Sequence, residues 1–182
     1  DYMTAIVAMI GVLAFGLLEG LVIAAGLGLI SLLIGTKQRN TSVLGKVPET
    51  AVYRSVEHYP EAETYPGLLI LRFDGTLYFA NAHDFQTAVR QAIAQSDPKP
   101  RVVLLDGESI NDIDATAVIT IREFQDQLRE ENIEIRFARI KTHVREIASR
   151  GHVEEAVPPE HFYPSVQVGV DAFLAEQASE DL

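Results

Sequence analysis

The chain has 182 residues, 26 acidic and 15 basic, for a formal net charge of −11, and it contains no cysteine. That length holds one ordinary domain with an appendage and excludes a complete polytopic transporter. The acidic balance, with no run of Lys and Arg, argues against a nucleic-acid partner. The missing thiols exclude disulfides, thiolate catalysis and cysteine-ligated zinc, and fit a reducing compartment.

Charge is distributed unevenly. Residues 1–36 carry only Asp1 and Glu19, while all 15 bases and 24 of the acids follow Thr36. The first part suits lipid and the second suits water. Residues 3–34 are almost wholly apolar. As one helix they would reach about 48 Å at ~1.5 Å per residue, against a hydrocarbon core of ~30 Å. Two short membrane helices with a break at 16–20 fit better than a single tilted anchor, and Gly20 beside Glu19 reads as a helix end. Gly11, Gly16, Gly20, Gly26 and Gly28 permit close helix packing. Glu19 is the membrane carboxylate: a residue at an interfacial break, or an ion-pathway group. Lys37 and Arg39 favour a cytoplasmic position for the residues C-terminal to them. The opening Asp1 and the apolar run behind it lead to the expectation of a C-terminal piece of something longer. No basic stretch of a signal peptide precedes that run.

Residues 37–50 read as a polar linker and 51–182 as an α/β domain. Within it 51–56 is a short strand, 68–73 a buried strand ended by Asp74 and Gly75, and 77–80 a second strand hairpin-paired with it. Asn81 is placed to cap a helix running to Gln95. Residues 101–106 form a strand buried on both faces, and 116–131 a helix. Residues 133–138 are a strand nearer an edge, 144–149 a helix, 161–163 a short strand and 165–177 a final helix. Alternating strands and helices imply a sheet with helix cover.

No dinucleotide, phosphate-loop, zinc-protease or hydrolase-elbow motif occurs. The five histidines have no ligand spacing and read as surface or loop residues. No cofactor, metal site or catalytic constellation is expected. The informative segment runs from 106 to 117. A buried strand ends at Asp106, a loop with Asp112 comes next, and a helix opens at Asp114 or Ala115. Free N–H groups and the macrodipole make that helix start attractive to anions, and Asp114 fills the role itself as N-cap. A phosphate on Thr116 would gain from the dipole and be repelled by Asp106, Asp112 and Asp114. These four residues form the expected regulatory or docking loop.

The residues Val102, Val103, Leu104, Leu105 and Asp106, through Asp114, Ala115, Thr116 and Ala117, resemble the signature of STAS domains. That family includes anti-sigma-factor antagonists and the cytoplasmic tails of SulP-type sulfate permeases. Residues 45–50, 52–54, 58–62 and 77–82 are similar to the linker and first strands of the permease version. Residues 11–13, 16–20 and 21–24 are similar to its last two membrane segments. The resemblance implies a mixed sheet covered by helices, an integral membrane location with the domain in the cytoplasm, and exchange or co-transport of sulfate, bicarbonate or chloride. It also implies homodimer contact, the remaining membrane domain of the same protein as partner, and a possible cytoplasmic regulatory protein. The substrate site would lie in earlier segments. Ala115 stands where the antagonists carry a phosphorylated Ser, which weakens a phospho-switch. The alternative is a membrane-anchored STAS interaction module of an anti-sigma-antagonist pathway. An enzyme is not expected.

Overall fold

A computed structural model describes residues 6, 9, 16–35, 41–150 and 157–180. It falls into two units, Asp1–Arg39 and Asn40–Leu182. In the first, helix α1 (Leu17–Gly35) starts directly after Gly16, whose φ of 103° suits a residue without a side chain. Helix α1 therefore begins within the expected break. Gly20, read as a helix end, lies inside α1, its N–H donating to the Gly16 carbonyl at 3.0 Å. The first of the two expected membrane helices lies outside the described residues apart from Ile6 and Met9, both helical. Glu19 sits in the first turn of α1 by its backbone, and its side chain is outside the described ones. Leu18, Leu21 and Val22 are exposed. Side chains in α1 are described only at residues 18 and 20–28. Among the described residues no helix is long and apolar enough to cross a membrane.

The second unit is built on six strands: β1 (Thr41–Lys46), β2 (Tyr53–Ser55), β3 (Leu68–Phe73), β4 (Val102–Asp106), β5 (Glu134–Ala138) and β6 (Phe162–Tyr163). Their order is β2-β1-β3-β4-β5-β6. β1 runs antiparallel to both β2 and β3, and β3 to β6 are mutually parallel. The segment expected to be linker thus supplies β1, an interior strand. Its Thr41, Ser42 and Gly45 hide it from a hydrophobicity reading, yet both its edges are paired. Gly45 is required by a close approach: a Cβ there would lie 3.0 Å from backbone atoms of Ala62 and Glu63.

The expected hairpin between 68–73 and 77–80 does not form. β1 and β4 already occupy both edges of β3, so no ladder is free for it. Leu77 instead makes a single parallel bridge with Ile113.

Helices α2 (Ala82–Gln95), α3 (Ala115–Glu130) and α4 (Thr142–Arg150) follow β3, β4 and β5, and α5 (Val166–Glu180) follows β6. Alternation along the strands divides the core. Leu69, Leu71, Val103, Leu105, Ile135 and Phe137 meet Phe85, Val89, Val118, Phe124 and Val144 of α2 to α4. Leu68, Ile70, Val102 and Leu104 meet Val166, Val170 and Phe173 of α5. Each fully buried side chain of this size contributes about 1.5–3 kcal/mol. The smaller face adds a polar clasp, in which buried Arg136 donates to Glu176 of α5 at 2.7 and 3.0 Å. The result is an α/β fold with a mixed sheet covered by helices.

Candidate functional site

Parallel strands β3, β4 and β5 end together at Phe73, Asp106 and Ala138, so the turns into α2, α3 and α4 gather at one end of the sheet. Ligands and partners of open parallel sheets meet this carboxyl end. Three segments are stitched there. The Leu77 N–H donates to the Asp112 carbonyl, and the Asp114 N–H donates to the Leu77 carbonyl, both at 3.1 Å. The Gly107 N–H donates to the Ala138 carbonyl at 2.9 Å.

Side chains lock the same loops. Asp106 is fully buried and accepts a two-pronged ion pair from Arg139, with Nε to Oδ1 at 2.9 Å and the second prong to Oδ2. The other prong of the guanidinium reaches Glu108. Arg139 holds a left-handed backbone, φ 58°, which costs a non-glycine residue about 1–2 kcal/mol. The buried carboxylate offsets that cost, since it needs a cation more than the chain needs relaxed geometry. Lys141 donates to the Asn111 side chain, and His143 Nε2 lies 2.7 Å from the Asn111 carbonyl. Arg139, Lys141 and His143 therefore clamp residues 106–111 from the far side.

Of the expected loop residues, Asp106 faces inward, where its Oδ1 also accepts from the Glu108 N–H at 3.2 Å. Asp112 is exposed and accepts from the Ile113 N–H at 2.9 Å. Asp114 caps α3: Oδ1 accepts from the Ala117 N–H at 2.7 Å, and Oδ2 accepts from the Phe79 N–H at 2.9 Å. These donors, Ala117 first, hold its carboxyl below the usual carboxylate range. The positive end of α3 is thus already answered by its own chain. Thr116 is exposed one residue into the helix. Glu19 belongs to the other unit.

Asn81 does not cap α2 with its side chain. It accepts from the Tyr78 N–H at 2.9 Å and donates to the Thr76 carbonyl at 2.8 Å, closing a turn that projects Phe79. That ring is 70% exposed, Tyr78 is 40% exposed, and the two meet edge to face with centroids 6.0 Å apart. Reading 77–80 as a strand concealed this tip. The clamp residues were concealed by distance along the chain; only the paired charges of Asp106 and Arg139 signal it. A cavity of about 280 Å³ opens at the opposite end of β3, lined by Leu44, Tyr65, Gly67 and Pro98 among others. Among the described residues no cluster of His, Asp and Glu could hold a metal ion.

The geometry defines a helix-covered mixed-sheet domain whose distinctive feature is a braced loop surface rather than a cleft. Matching of residues 59–169 to the STAS domain family shows that the chain belongs to it. A probable sulfate transporter of Mycobacterium tuberculosis is 29% identical over 173 residues, covering 95% of this chain and 31% of that protein. The structure of the murine anion transporter Solute Carrier 26 family member A9 aligns with a TM-score of 0.75 at 21% identity, over 95% of this chain and 28% of that one. A sulfate transporter family protein of Wolinella succinogenes aligns with a TM-score of 0.54 at 18% identity, over 65% and 94%. The chain therefore spans about a third of the length of its curated transporter relatives. Those relatives are transporters, not enzymes.

Proposed function

We propose that this chain is the C-terminal portion of a SulP-type secondary anion transporter, of the sulfate, bicarbonate or chloride class. In this reading residues 1–36 supply its last two membrane helices and the sheet unit is its cytoplasmic STAS domain. The observation that carries the proposal is coverage: the likeness to a sulfate transporter runs over 95% of the chain, apolar unit included. The nearly uncharged, apolar composition of residues 3–34 supports it. Lys37 and Arg39 behind that stretch fit a cytoplasmic exit. The STAS domain regulates transport and contributes to dimer contact, with the braced loops around Asp112, Asp114 and Thr116 as its docking surface. The resemblance implies a substrate site in earlier membrane segments, so no residue of this chain is assigned to it. The test is uptake of labelled sulfate, bicarbonate and chloride by liposomes containing the full-length protein that carries this chain. Uptake of at least one above protein-free liposomes supports the reading, and uptake of none contradicts it.

A further inference from the structure

The exposed face beside the braced loops combines apolar and acidic groups. Phe79 is fastened beside the start of α3 by the bond from its N–H to Asp114. One turn beyond Ala115 on α3, Ile119 is 46% exposed, although helical spacing alone marks it as core. Asp112 and Asp114 at the start of α3 and, a turn past Ile119, exposed Glu123 supply three carboxylates along this stretch, against Arg122 on α3 and Lys141, which bonds Asn111. The α3 dipole adds no attraction for an anion, because Asp114 already accepts from its first free N–H groups. The surrounding chain has a net charge of −11, so an acidic partner, an anionic bilayer or a second copy placed face to face would meet repulsion.

We propose that the Phe79 tip and the Ile119 face of α3 dock a basic, amphipathic segment of a partner protein, its apolar side chains covering Phe79 and Ile119 and its Lys or Arg residues meeting Asp112, Asp114 and Glu123. The proposal rests on the docking-surface reading above and adds the chemistry of the partner. The mode is a helix laid on a groove or face by spaced apolar anchors, with the aromatic tip as the anchor of largest effect.

The absence of cysteine gives a clean test. Ala115→Cys, at an exposed position, carries one environment-sensitive fluorophore in the full chain, held in phosphatidylcholine nanodiscs with empty nanodiscs as blank. The probe is a helical Leu/Lys peptide of about 18 residues, set against a Leu/Glu peptide of the same pattern. The Leu/Lys peptide is expected to shift the fluorophore signal saturably. Phe79→Ser is expected to weaken its binding about tenfold. Added salt, or Asp112→Asn with Glu123→Gln, weakens it several-fold. Val168→Ser, exposed on α5, leaves it unchanged. Equal or tighter binding of the Leu/Glu peptide overturns the proposed chemistry and leaves the docking surface standing. A signal from phosphatidylcholine vesicles alone, lost with Phe79→Ser, overturns it in favour of a membrane contact. No response to either peptide, with transport by the full-length protein unchanged by Phe79→Ser, overturns the docking surface as well.

Discussion

Helices α2 and α3 lie side by side on the same face of the sheet, and each begins one residue after an Asx residue followed by alanine: Asn81 and Ala82, Asp114 and Ala115. The two side chains do different work. Asp114 bonds forward to Ala117 and across to Phe79, so one carboxylate both caps a helix and fixes the neighbouring turn. Asn81 bonds backward to Tyr78 and Thr76 and leaves its own helix uncapped by a side chain. A carboxylate has two acceptor oxygens and can serve two N–H groups, whereas an amide, with one donor end and one acceptor end, suits a turn that offers a carbonyl and an N–H. Residue class alone predicts a cap in both places; the surrounding donors decide.

The largest break in this comparison comes from behind the loop. Arg139→Ala strands a fully buried Asp106 carboxylate and is expected to lower unfolding stability by about 3 kcal/mol in a denaturant titration followed by circular dichroism. Asp106→Asn is expected to cost less, because the guanidinium is 34% exposed and turns to water. Equal losses would mean that the pair contributes packing rather than charge compensation.

Asp114→Ala comes next, at about 1 kcal/mol for a lost N-cap. Hydrogen exchange is expected to speed up at both Ala117 and Phe79, since one side chain protects both amides. Acceleration at Ala117 alone would sever the link between helix and tip. Asn81→Ala is expected to cost about 0.5–1.5 kcal/mol, with faster exchange at Tyr78 and no change at the first amides of α3.

The smallest effect is on pH. Because the folded pKa of Asp114 is depressed, its stabilisation is complete above the unfolded value of about 3.9 and is lost as pH falls through the lower folded value. Exchange at Ala117 and Phe79 should rise together in that acid window in the wild type, and Asp114→Asn should flatten the rise.

Much of the fold was legible because β3 and β4 are continuous apolar runs and α2, α3 and α5 keep helical spacing. β1 was not legible: Thr41, Ser42 and Gly45 look like linker, and only pairing on both edges makes them a strand. The hairpin error shares that cause, since β1 takes the edge that residues 77–80 were assigned. At the candidate site, the strand-loop-helix pattern was enough to bring Asp112, Asp114 and Thr116 together at one loop and helix start. Asp106 was placed at the end of a buried strand, but its ion pair was not legible, because its partner Arg139 lies far along the chain. Phe79 was missed because an apolar residue in a short run reads as buried, and nothing local shows that Asn81 turns the backbone to project it.

The central claim, that this is the regulatory STAS end of an anion transporter, is tested most directly by one uptake comparison. Labelled anion flux is measured for the full-length protein and for the same protein cut after Asn40, at matched abundance in liposomes. The account predicts flux in the intact protein and a several-fold change in rate without the STAS domain. Identical rates would contradict the regulatory role, and absence of flux from the intact protein would contradict the transporter itself.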